Sequence, residues 1–250
     1  MDYKFSLFEI YNYNRFGQLK YFFEFIKKNH KKYKGDIVEA GVHKGKSLLS
    51  IGLFLKELKS KKKVYGYDTF SGFPKKQKNH EMDQHSQWIN LLNKKNISKQ
   101  HYKLINENYR YLSFLKKKKK KDLNSFNTSL SSDFSNPNLS FLKKKIKYLE
   151  LNNIKLIKGE FEKTIPKKLP KKIFAALIDA DLYSSYQTSL PYIWKNLVKG
   201  GYIFFDEYYS LKFPGPRIFC DYFFNKFKEK PIMHRKIHGD FERWYIRKKF

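Results

Sequence analysis

Carboxylates recur where apolar runs stop. Glu39 sits in the run 37–40, Asp68 closes 64–67, Glu160 follows 154–157, Asp179 follows 173–178, and Asp206 follows 202–205. Acids gathered on one sheet edge repel one another unless hydroxyls, amines or a cation occupy the space between them. A single strand-end Asp is as much at home capping a helix. Only the set argues for a shared site and for a ligand that brings such groups.

The densest stretch is 35–51. Its apolar run 37–40 is broken by Gly41 and Gly45, and Ser47 then opens a segment with Leu48, Leu49, Ile51 and Leu53 at helical spacing. Strand, glycine turn and helix start form the unit on which α/β proteins bind nucleotides. Two chemistries compete for it. Ala40-x4-Gly45-Lys46-Ser47 fits a relaxed phosphate loop, and the run 202–205 ending in Asp206-Glu207 then supplies a magnesium-binding Asp and a catalytic Glu, as in a P-loop ATPase or kinase. Glu39-x-Gly41-x3-Gly45 instead fits a strand-end loop that admits an adenosyl group. In that reading Asp68 accepts hydrogen bonds from both ribose hydroxyls, and Glu39 pairs with the ammonium of a methionine moiety. The phosphate loop lacks its usual first glycine, sets Glu39 beside phosphates, and leaves Asp68, Glu160 and Asp179 without work. The adenosyl reading is preferred.

The elements that must position these residues follow from the pattern of apolar runs. Strands are expected at 37–40, 64–68, 154–157, 173–178 and 200–205, alternating with helices near 47–53, 142–151, 183–197 and 218–227. That alternation predicts a mostly parallel sheet with right-handed crossovers. Two short strands near 233–237 and 244–246 are close enough for a hairpin, giving one antiparallel edge. Residues 1–34 carry Leu19, Phe22, Phe23 and Ile26 at helical spacing and read as a helical segment ahead of the sheet domain 35–250. Between about 75 and 142 periodicity weakens. That stretch reads as a lid-like, partly disordered insertion, with the Lys116–Lys121 run as a mobile tip. His80 and His85 lie in it without a third spaced ligand and read as loop histidines.

In combination and order, the segments 38–47, 67–74, 157–166, 178–183 and 200–208 resemble the macrocin O-methyltransferase (TylF/MycF-like) group of class I methyltransferases. The resemblance spans about 35–227 apart from the insertion. It implies a Rossmann-like fold, α/β, with a seven-stranded, mostly parallel sheet, one antiparallel strand and helices on both faces. It implies S-adenosylmethionine as methyl donor and a hydroxyl of a sugar or glycosylated metabolite as acceptor. The matching positions give the expected cofactor-binding set: Glu39, Gly41, Gly45, Ser47, Asp68, Thr69, Gly159, Glu160 and Phe161. The resemblance also implies Mg2+ held by Asp179, Asp206 and Glu207, where characterised members carry Asp at the last position. Magnesium takes oxygen ligands and lowers the pKa of a hydroxyl, which is what a sugar nucleophile needs. Asp179 is then the expected catalytic residue, orienting or accepting that proton.

Composition bounds the partners. The chain has 250 residues, 53 Lys and Arg against 23 Asp and Glu, and a formal charge of +30. Arg occurs only at positions 15, 110, 217, 235, 243 and 247, so the surplus is Lys. Base readers and phosphate clamps favour the Arg fork, so no specific nucleic-acid partner is expected and the lysines read as solvated faces. No run of about 18 apolar residues exists to span a membrane. Cys220 stands alone, and with no secretory pattern at the start a reducing cytoplasm is expected. The remaining partners are the small-molecule or glycan hydroxyl acceptor and a second copy of the chain as a homo-oligomer.

Overall fold

The computed structural model describes residues 3–234 and 241–249. Its seven strands are β1 (Asp36–Ala40), β2 (Val64–Asp68), β3 (Ile154–Lys158), β4 (Ile173–Ile178), β5 (Leu197–Phe205), β6 (Ile232–Met233) and β7 (Trp244–Arg247). They form one sheet in the order β3-β2-β1-β4-β5-β7-β6. β1 to β5 are parallel, and β7 runs antiparallel to both β5 and β6. This is the Rossmann-like class I methyltransferase arrangement.

β4 shows why the sheet must be covered on both faces. All six residues of Ile-Phe-Ala-Ala-Leu-Ile are buried, which suits a central parallel strand with no polar side to offer water. One face packs under α1 (Tyr3–Leu7), α2 (Lys20–Asn29) and α3 (Lys46–Glu57). The stripe Leu19, Phe22, Phe23 and Ile26 is buried there against Phe54, Phe174 and Phe204. Three helices lie between the second and third strands: α4 (Gln87–Asn93), α5 (Lys99–Leu115) and α6 (Leu139–Tyr148). The opposite face packs under α7 (Phe161–Lys168), α8 (Tyr183–Asn196) and α9 (Gly215–Asn225). Cys220 is buried in α9 as a small apolar side chain.

Several expected boundaries move. α6 starts three residues before the anticipated position, because Asn138 caps it through a hydrogen bond from Phe141 N to Oδ1 at 2.9 Å. The terminal strands pair antiparallel at the sheet edge, as expected, with Ile232 opposite Tyr245 and Met233 opposite Trp244. β7 sits between β5 and the two-residue β6, and most of the expected strand 233–237 lies outside the described residues. The stretch 75–142 holds more regular structure than its weak periodicity suggested. α5 runs 17 residues, and its Ile105, Tyr109 and Leu112 pack with Trp88, Leu91 and Leu123 in a small core of their own. The stripe is narrow, three positions at i, i+4 and i+7, and the polar residues between them masked it. Among the described residues no helix is long and apolar enough to cross a membrane.

Candidate active site

Parallel register brings the strand ends to one rim. Ala40 pairs with Tyr67 and with Ile178, Ile178 with Phe205, and Asp68 with Lys158. The residues just beyond them therefore face a common crevice, the usual ligand position of an open parallel sheet. A cleft opens there. Gly41, Asp68, Thr69, Glu160, Phe161 and Asp179 line it, so the two acids on which a shared pocket depends, Asp68 and Asp179, do share one. Gly45, Ser47, Gly159, Asp206, Glu207 and Glu39 do not line it.

At the first end of the cleft the glycine turn is held by its own chain. Gly41 has φ +92°, and a Cβ there would stand 1.6 Å from the Asp179 carbonyl oxygen. Only glycine lets β1 and β4 close up at this point, where Asp179 N donates to Ala40 O at 2.9 Å. Asp68 pins the turn: its Oδ2 accepts from Val42 N and His43 N, both at 2.8 Å, and its Oδ1 from Phe70 N at 2.6 Å. Gly45, at φ +80°, caps α3. Gly159 continues the rim from β3, its N–H bonded to Asp68 O at 2.9 Å.

These contacts bear on the phosphate-loop alternative. The amides a triphosphate would need already face a carboxylate. Lys46, which would reach the phosphates, lies over the Tyr11 ring at 4.4 Å. Beneath the turn, Glu39 is fully buried and its Oε1 accepts from the Ser47 hydroxyl, while Oε2 has no partner among the described residues. Burial pushes the Glu39 carboxyl up to about 8, the Ser47 bond opposing and Asp68 adding.

At the other end the acids crowd. Oxygens of Asp179, Asp181 and Glu207 lie within 4.8 Å of one another, the only such metal-capable group among the described residues. Glu207 also accepts from Tyr186 OH at 2.7 Å and from Ala180 N at 3.3 Å. Asp181 has a left-handed backbone, φ +60°, which turns the chain so that both acids of Asp179-Ala180-Asp181 reach one place. Burial raises Asp179 and Glu207 well above the ordinary carboxylate range, and their acidic neighbours raise them further. Asp181 is pushed up to about 7 by burial, with Lys212 opposing and Asp206 and Asp68 adding.

Asp206 adjoins that group, close enough to raise Asp179 and Glu207, and is also engaged from another layer. Gln18 Nε2 donates to its Oδ1 at 2.5 Å, and Tyr11 OH donates to Gln18 Oε1 at 3.0 Å. The segment ahead of the sheet thus reaches the end of β5, a contact for which the sequence carries no signal. Sequence reasoning also passed over Asp181 as a member of the cluster, although an acid two residues from another at a strand end was visible. It passed over Asp83 as well. That side chain is buried and accepts from Tyr183 N at 2.9 Å and 3.2 Å, capping α8 from the 75–142 stretch. Gly215 makes room for it, since a Cβ there would meet Asp83 Oδ1 at 2.0 Å. His80 and His85 belong to no metal-capable group among the described residues: His80 stacks on Tyr183 and His85 packs edge-on to Tyr109.

A family model described as macrocin-O-methyltransferase (TylF) matches residues 10–142 and 142–243. The solved structure of the O-methyltransferase NovP superposes with a TM-score of 0.61, at 16% identity over 91% of this chain and 79% of that one. CalS11, a calicheamicin methyltransferase, gives 0.60 at 18% identity over 92% and 76%. An apo structure of CalS11, described as a TDP-rhamnose 3'-O-methyltransferase, gives 0.55 at 16% identity over 91% and 77%. At these identities the superpositions speak for the fold. No curated protein matches the chain.

Proposed function

The chain belongs to the macrocin-O-methyltransferase (TylF) family of S-adenosylmethionine-dependent O-methyltransferases, and from that premise we propose that it methylates a hydroxyl of a sugar or glycosylated metabolite with the help of Mg2+. The observation that carries the reading is the pairing of two unlike ends in one cleft. One is a glycine turn with Asp68, and the other a knot of carboxylates around Asp179. Sugar acceptors are supported by CalS11, which is described as acting on TDP-rhamnose.

The donor set fits a hard dication. Asp179, Asp181 and Glu207 offer only oxygen, and each pays for its charge in a half-buried or buried place where a positive ion would offset that cost. Asp206, one residue from Glu207, adds negative potential while bonded to Gln18. When bound, the ion supplies the positive charge that lowers the pKa of an acceptor hydroxyl.

The chain's own residues do the rest. Asp68 and Thr69 line the cleft where the adenosyl ribose is proposed to lie, Glu160 and Phe161 beside them. The partnerless Oε2 of Glu39 is the proposed acceptor for the methionine ammonium, whose charge would draw the carboxyl back to its ionised form. Gly45 and Ser47 hold that arrangement from below, and Gly159 leads the chain back to the rim. Asp179 receives the proton of the acceptor hydroxyl, and the resulting oxygen attacks the methyl carbon in line with the departing sulfur. Positioning supplies much of the rate in such a transfer.

A labelled-methyl screen over sugar nucleotides and glycans, with and without Mg2+, tests the reading. The expected result is label on a glycan hydroxyl, with transfer increased by Mg2+. Tight S-adenosylhomocysteine binding with no transfer to any sugar would overturn the acceptor assignment while leaving the family in place.

A further inference from the structure

The Lys run at 116–121 has no part in the cleft, and what lies beside it gives it a purpose. α5 ends with its apolar side chains in water: Tyr111 is 57% exposed, Phe114 83% and Leu115 59%. The six lysines follow at once, and no acid occurs from 108 through 121. Lys117, Lys118 and Lys119 are exposed. Lys116 folds back instead, its Nζ bonded to Ser132 Oγ at 3.0 Å and lying 3.4 Å from Leu130 O. That contact brings Leu130, 71% exposed, to the same tip.

We propose that this tip docks on an anionic lipid bilayer, with Phe114, Leu115 and Leu130 entering the interface and Lys117–Lys119 meeting the head groups. A run that only kept the protein soluble would need no bare Phe beside it. A run that only gathered a dissolved polyanion would gain nothing from Leu115 and Leu130. Lysines around a small apolar wedge are what an interfacial anchor requires: the charges find a negative surface and the apolar groups leave water. Lys also suits the task, because its long stem lets the charge stay among head groups while the carbon chain lies lower. The rest of α5 is committed elsewhere. Its inner side packs with Trp88, and His101 at its start bonds to Ser210 O at 2.8 Å near the β5 end. The tip therefore projects at the far end of a 17-residue helix, about 25 Å along from that start.

The test is co-sedimentation of the full chain with phosphatidylcholine vesicles, with and without phosphatidylglycerol. Binding is expected only with the anionic lipid, and it should weaken as salt is raised. Replacing Lys117, Lys118 and Lys119 together by Gln should lower it by about a hundredfold, and Phe114→Ser with Leu115→Ser several-fold. Phe114→Trp should shift its emission to the blue on those vesicles. S-adenosylhomocysteine binding by each variant checks that the fold survives, and it does not depend on the acceptor proposed above. Absence of vesicle binding would overturn the proposal. So would equal retention on heparin with no effect of Phe114→Ser, which would make the partner a dissolved polyanion.

Discussion

The two ends of the cleft are built on opposite principles. At the glycine turn all but one of the polar groups described have partners: Asp68 accepts from three backbone amides, Gly41 admits the carbonyl of Asp179, and Ser47 holds one oxygen of Glu39, leaving Oε2 open. At the ends of β4 and β5, Asp179, Asp181 and Glu207 are pressed together with little but Tyr186 OH and one amide to offset them. The first end is organised before a ligand arrives. The second is stable only with protons or a cation among its oxygens. A nucleoside needs the former, because a preformed turn costs nothing at binding. Proton removal from a hydroxyl needs the latter, because crowded carboxylates hold a proton more tightly than free ones.

Gly41→Ala should break the contrast most severely, since the two ends meet at this residue. The added carbon has no space beside Asp179 O and the backbone is already left-handed. A loss of about 3 kcal/mol or more is expected, read as a fall in the denaturant midpoint or as insoluble protein. A near-normal midpoint would mean that the turn is looser than described.

Exchanging one acid at each end sharpens the contrast. Asp68→Asn should weaken S-adenosylhomocysteine binding by about tenfold, because one acceptor oxygen becomes a donor facing backbone N–H groups. Asp179→Asn should leave that affinity within about twofold and lower turnover by about a hundredfold. Calorimetry and single-turnover rates separate the two. If both variants moved the same parameter, the division of labour would be wrong.

The smallest effect concerns pH. Glu39 is raised by burial from 4.5 to about 8, and Asp83 from 3.8 to about 7. Between the ordinary and raised values the unfolded chain has released protons that the folded chain keeps, so stability falls as pH rises. Three histidines act oppositely: buried His101 and half-buried His85 and His234 are lowered from 6.5 to about 4 by desolvation, so they destabilise only below 6.5. The window from 6.5 to about 8 isolates the carboxyls. Unfolding midpoints of the ligand-free protein should decline across it, and Glu39→Gln should make the decline shallower, the other raised acids Asp83, Asp179, Asp181 and Glu207 supplying the rest. An unchanged slope in that variant would show that Glu39 is not the group responsible.

Legibility followed the range of the interactions. The strand cores were visible because burial on both faces demands unbroken apolar runs, as in Ile173–Ile178. Gly41 and Asp68 were visible because local backbone geometry and strand-end chemistry restrict which residues serve there. α5 was missed because its apolar stripe is narrow and packs against its own neighbours, Trp88 and Leu123, leaving most of its surface to water.

By itself the chain's order of residues determined the strands, the glycine turn and an acid at each strand end, since each depends on side chains within a few positions of one another. Tertiary structure decided which acids gather. Asp181 joins Asp179 through a left-handed turn, and Asp206 is engaged by Gln18 from 188 positions away. Asp83 likewise caps α8 across 100 positions. Pairings over such distances are fixed by how layers pack, and packing is a property of the whole fold.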